Sequence, residues 1–203
     1  MIIQKCVKGI SGTYNGLNSG ISKTEAFDLI RDETGIMSNW WRQKGAITPT
    51  EIADILTSRN LDRHLHDYQN YGPETPFISL AAGSVERLAS HNQIHSAIET
   101  ALEFATDWWQ VPGALSYCWV QVGLNPAVEI SGIAEEVRNL HTYRRWSPYQ
   151  LEGEITAKIH VPANQIEKVE WWDGSVDKIA PLDVLVNRNF SPPERLANIR
   201  ELY

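Results

Sequence analysis

Cysteine and methionine are scarce, at two each in 203 residues. Cys6 and Cys118 could form a single bridge, far short of a disulfide scaffold or a Cys-rich zinc site, and a reducing compartment is the simpler expectation. Positive charge is also short: 18 Lys and Arg against 25 Asp and Glu leave a formal charge of -7. A surface built to hold a polyphosphate backbone needs the opposite balance, so nucleic acid is not expected as a partner. No run approaches the roughly 18 apolar residues of a spanning helix. Met1 to Lys8 sets Lys5 and Lys8 inside a short apolar stretch and offers no signal-peptide core, so no membrane association is expected. Gly-x-Gly-x-x-Gly and Walker-type stretches are missing, which removes the Rossmann and P-loop modes of nucleotide binding. No repeat, low-complexity segment or composition shift divides the chain, and 1–203 reads as one domain.

What is present is enough apolar material to fold: 42% hydrophobic residues, with 8 Trp and 7 Tyr. Ser22 with Glu25 forms a capping-box pattern and predicts a helix over 23–33. Thr48-Pro49-Thr50-Glu51 starts a second, short amphipathic helix. Residues 60–76, polar and broken by Gly72, Pro73 and Pro76, read as an irregular segment leading to a strand at Phe77-Ile78-Ser79-Leu80. Ile94, Ile98, Ala101, Leu102 and Ala105 predict a helix over 92–107, ended by Pro112-Gly113. Beyond it the chain turns to sheet: 115–122, the alternation Ile155, Ala157, Ile159, Val161, then 169–172 and 184–186. A short terminal helix is expected from Leu196.

The densest chemistry lies at Trp146-Ser147-Pro148-Tyr149-Gln150-Leu151-Glu152-Gly153-Glu154. Glu152 and Glu154, two apart on a strand, share one face, while Ile155, Ala157 and Ile159 bury the other and hold the pair at the end of a rigid element. Such a pair can stabilise a developing cation and orient a nucleophile, although Glu-x-Glu alone also describes a solvated acidic face. Along the chain the order is Arg42 after Asn39-Trp40-Trp41, Ser79 within Phe77 to Leu80, and then Glu152-Gly153-Glu154 after a Pro-containing aromatic loop.

In that order these motifs resemble the cholera-toxin-like branch of the mono-ADP-ribosyltransferases. There an Arg closing the first core strand, a Ser-centred strand and a Glu-x-Glu strand start meet around NAD. The resemblance runs from Trp40 to Trp172, taking in Leu115 to Gly132 with its Asn125-Pro126 turn and Glu154 to Ile166 with Val161-Pro162. It implies an α+β fold, an ADP-ribosyltransferase-like split β-sandwich with N-terminal helical elements: a helical lead-in over 1–38, a core over 40–172 and a C-terminal extension over 174–203. It implies NAD as co-substrate and no metal, with Arg42 at the end of an aromatic strand gripping the pyrophosphate and Ser79 hydrogen-bonding Glu154. Glu154 would stabilise the sugar cation and Glu152 would act on the acceptor. Trp146 and Tyr149 sit where the family's target-recognition loop would be. The Glu-x-Glu form implies a protein arginine as acceptor, and the family implies a cytoplasmic protein or one delivered into a target cell. One departure stands out: the family's Ser-Thr-Ser is here Ser79-Leu80-Ala81. NAD hydrolysis, or a silent NAD- or protein-binding module on the same fold, are the alternatives. His91 and His95, four apart on the expected helix, lack a third metal ligand, and His64 and His66 read as loop histidines. Oligomeric state is not legible.

Overall fold

Strand β1 (Ile2–Ser11) opens the chain, followed by α1 (Lys23–Arg31), β2 (Ile36–Met37) and α2 (Asn39–Arg42). Three further helices follow, α3 (Pro49–Ile55), α4 (Ser58–His66) and α5 (Tyr68–Tyr71), then β3 (Phe77–Ala81), β4 (Ser84–Arg87), β5 (Gln93–Ser96) and α6 (Ala97–Ala105). Among the described residues the later elements are the strands β6 (Gly113–Gly123), β7 (Ala134–Glu135), β8 (Glu154–Lys158), β9 (His160–Val161), β10 (Ile166–Trp172) and β11 (Asp183–Val186), with a 3-10 turn at Ala163–Gln165. The structure, a computed structural model, describes residues 2–12, 20–44, 48–82, 84–87, 93–123, 134–135, 154–175 and 180–191. No helix among the described residues is long and apolar enough to cross a membrane.

Two strand layers face each other. One is built on β1 and β6, antiparallel from Ile2↔Val122 to Ser11↔Gly113, and extended by β10 and β11. The other is β3, β8 and β7. They are stitched by the parallel β6–β7 contact and by one β1–β3 pair, Val7↔Ala81. Alternation sends Ile78, Leu80, Ile155 and Ala157 inward to meet Cys6, Cys118, Val120, Ile166 and Val169, with Phe27, Leu29 and Ile30 of α1 closing one side. Each fully buried Ile or Leu there contributes roughly 2 kcal/mol. A smaller cluster seats α2 to α4 on Phe77 and Ile159 through Trp40, Leu56, Leu61 and Leu65. A third packs α6 on β1 and β6. That approach needs Gly9 and Gly113, since a Cβ at either would collide with the carbonyl of Ala101 or Ala105.

Both predicted capping boxes form, Ser22 with Glu25 and Thr48 with Glu51. Four expectations change. Residues 1–38 hold α1 but begin with a ten-residue strand, because Ile2, Ile3, Cys6 and Val7 find the long β6 as partner. Residues 60–76 are mostly helical: Thr57 caps α4, and Leu61 and Leu65 bury one face, a pattern obscured by the polar residues on the other. Trp40-Trp41-Arg42 is a helical turn, because the Ser38 hydroxyl accepts the Trp41 N–H and caps it. Helix α6 starts at Ala97 behind the Ser96–Glu99 capping box, and 93–96 is strand, so His95 lies on β5; His91 lies outside the described residues. The Asn125-Pro126 turn and the helix expected from Leu196 are likewise outside them.

Candidate active site

After the single pair Val7↔Ala81, β1 and β3 part, and a cavity of about 440 Å³ opens between Lys8–Ser11 on one side and Phe77–Leu80 on the other. Thr100 and Phe104 of α6 form one rim, Asn39 and Arg42 of α2 another, and His64, Tyr68 and Glu154 complete the walls. A second cavity, about 350 Å³, adjoins it and shares Ile10, Gly20, Met37 and Arg42. Arg42 thus stands at the junction of the two.

Register brings the acid and the hydroxyl together. Glu154 faces Ala81 and Thr156 faces Ser79 across β3–β8, so Ser79, Glu154 and Thr156 share the face away from the apolar core. That face is buried as well: Glu154, Thr156 and Lys158 are at most 5% exposed. The alternation of β8 therefore marks two buried faces, one apolar and one chemical. Thr156 Oγ1 donates to Glu154 Oε1 at 3.3 Å. His64 Nε2 lies 3.0 Å from Ser79 Oγ and 3.7 Å from Glu154 Oε1, while Nδ1 lies 2.9 Å from Thr75 Oγ1. The Thr75 hydroxyl also accepts the Phe77 N–H, so the imidazole is held between the Thr75 and Ser79 hydroxyls. His64 Nε2 thus lies beside both Ser79 and Glu154, where a direct bond between those two was expected. The imidazole makes edge and tilted contacts with Tyr68 and Phe77, on a helix whose Leu61 and Leu65 are buried.

Positive charge comes from two elements. Lys8, on the core strand β1, is partly buried; desolvation lowers its pKa, Glu154 acts to raise it and Arg42 to lower it further. Arg42 ends α2, which is pinned by Trp40 N–H to Thr75 O at 3.0 Å and Asn39 Nδ2 to Gly72 O at 2.7 Å. Tyr68 is raised by burial against the opposing effect of its bond with Asn39. The arrangement sets one buried carboxylate beside a hydroxyl and an imidazole, with two cations along the approach. It suits a ligand carrying both a sugar and a polyphosphate.

Of the residues picked out in the sequence, Arg42, Ser79 and Glu154 line one cavity, whereas Glu152, Trp146 and Tyr149 lie outside the described residues. Two lining residues were not singled out for the site. Lys8 occupies the first core strand, where the resemblance places an arginine; the strand's run of Ile and Val broken by Lys was the available signal. His64 was taken for a loop residue, and the spacing Leu61, His64, Leu65 would have placed it on a buried helix face.

No family model matches the sequence, and no curated protein does. Solved structures do. One named EcPltA has a TM-score of 0.51 at 14% identity, over 95% of this chain and 89% of that one. An arginine-to-lysine mutant of the heat-labile enterotoxin A subunit has a TM-score of 0.38 at 15% identity, over 72% and 73%. The fold is the expected α+β, ADP-ribosyltransferase-like split β-sandwich.

Proposed function

We propose that this chain is a mono-ADP-ribosyltransferase of the cholera-toxin-like branch, moving ADP-ribose from NAD, its co-substrate, to a protein arginine and releasing nicotinamide. The observation that carries this reading is the buried carboxylate of Glu154, with His64 Nε2 beside both it and Ser79, at the base of a cleft that also presents Lys8 and Arg42. Breaking the ribose–nicotinamide bond sends the bonding pair to the nicotinamide ring nitrogen and leaves a sugar cation. Glu154 stabilises charge that exists mainly in that transition state. A guanidino nitrogen of the acceptor then bonds to the anomeric carbon and gives up a proton, for which Glu152 is the assigned base. The pyrophosphate is shared between Lys8, a point charge on the strand, and Arg42, a planar fork on the helix. His64 positions Ser79 and Glu154, and Trp146 and Tyr149 are assigned to recognition of the acceptor. The reading assigns no metal.

Leu80 and Ala81 in place of hydroxyl residues, and Lys8 in place of arginine, favour as a second reading a silent NAD- or protein-binding module. Incubation with NAD, with and without cell extract, separates the outcomes by free nicotinamide. Release only with extract is expected for transfer, release in both marks NAD hydrolysis, and release in neither leaves the silent module. In the same assay Glu154→Gln is expected to lose on the order of 3 kcal/mol of transition-state stabilisation, at least a hundredfold in rate. Retained release by the folded variant would refute the mechanism.

A further inference from the structure

Helix α6 ends beside the cleft in a turn that no glycine supports. Asp107, Trp108 and Trp109 are all left-handed, with φ of 46°, 56° and 67°, a region bulky L-residues enter rarely and at a cost. Buried Thr106 holds the turn: its hydroxyl donates to Leu102 O and accepts the Trp109 N–H, and its carbonyl accepts the N–H groups of Gln110 and Val111. Trp109 is thereby directed against the packed side of α6, and Trp108 is directed outward. Trp108 is 54% exposed and Phe104 47%, their ring centroids 6.5 Å apart. Because Phe104 also lines the cleft, aromatic surface runs from the rim of the cavity onto the outside of the molecule. The segment that carries the two rings is acidic: Glu99 and Glu103, one helical turn apart, and Asp107 in the turn itself. No Lys or Arg occurs anywhere from 88 to 137.

We propose that Phe104 and Trp108 anchor a basic, arginine-bearing segment of the protein acceptor, an inference that rests on the transferase reading above. A guanidinium stacks on the face of an exposed ring while its edge pairs with carboxylate, so exposed aromatic rings on an acidic segment fit that group. An acidic segment would meet like charge. Continuity with the cavity rim sets the docked segment beside the cleft in which the sugar cation would form.

The test titrates a peptide of alternating arginine and glycine into the full chain by calorimetry, without NAD. Trp108→Asn removes the ring yet suits the left-handed backbone, and Glu103→Gln with Asp107→Asn removes the charge without changing shape, so the second variant serves should the first misfold. Each is expected to weaken binding roughly tenfold, the scale of one lost stacked or paired contact. Nicotinamide release with a small guanidino compound as acceptor should stay at the wild-type rate in both. Absent binding, unchanged affinity in both variants, or equal affinity for a peptide of alternating glutamate and glycine overturns the proposal. Absent nicotinamide release even with cell extract, alongside intact, variant-sensitive peptide binding, overturns the transferase reading and supports the docking surface, so the two failures are distinguishable.

Discussion

Lys8 is the residue on which the chemistry of the cleft turns, because it is a cation lining the cleft whose titration burial moves downward. Burial holds its pKa below the usual 10.5, Glu154 opposing and Arg42 adding to the shift. Between the lowered value and 10.5 the unfolded chain holds the proton that the folded protein has released, so the contribution of Lys8 to stability rises with pH across that window. Binding runs the other way, since only the ammonium attracts a pyrophosphate. KM for NAD is expected to climb as pH rises through the lowered value, and Lys8→Arg, charged at every accessible pH, should abolish that alkaline climb. A Lys8→Arg enzyme with the same alkaline profile would assign the titration to another group. Arg42, Ser79 and Glu154 were legible as residues because each sits in a short local pattern. Lys8 was not, since a lysine in an apolar strand has the same appearance whether it faces solvent or a cleft.

At the scale of elements, two capping boxes were read and the third, Ser96 with Glu99, was missed, so that helix was begun at 92 where the chain is still strand. Ser22 with Glu25 and Thr48 with Glu51 lie three apart, and a hydroxyl and a carboxylate at that spacing satisfy two orphan N–H groups wherever the chain runs. Helix α4 escaped because its apolar face is narrow, and α2 because its aromatic residues resemble a strand until Ser38 is seen to cap them. The turn after α6 allows a stability prediction. Holding a bulky residue left-handed costs on the order of 1 kcal/mol, and Asn is more at home there. Trp108→Asn is therefore expected to raise unfolding free energy by about 0.5 to 1 kcal/mol in a denaturant titration. A loss of similar size would mean that the indole contributes more through packing than the backbone loses through strain.

For the molecule as a whole, the β1–β6 pairing decides the state of the thiols. Cys6 and Cys118 face each other across that pair, both fully buried and neither in a disulfide. Burial pushes the Cys118 thiol up to about 12, outweighing the opposing charge of Lys8. Since the thiolate is the reactive form, neither cysteine should react with a disulfide reagent in the native protein, and both should do so once it is unfolded. Rapid native labelling would show that the two strand layers separate readily around this pair.

The sequence by itself determined the elements whose signals span a few residues: the capping boxes, the strand at Phe77, the alternation of β8, and the order Arg, Ser, Glu from which an ADP-ribosyltransferase-like fold was expected. Covalent geometry sets those relations, since a three-residue cap or a two-residue alternation needs no partner from elsewhere. Only the tertiary structure decided that β1 leaves β3 after Val7↔Ala81, that Lys8 shares the resulting cleft with Arg42, and that His64 lies beside both Ser79 and Glu154. Those are matters of strand register and helix docking between segments far apart in the chain, and a one-residue shift of a strand would turn its own side chains, Lys8 on β1 or Ser79 on β3, to the opposite face.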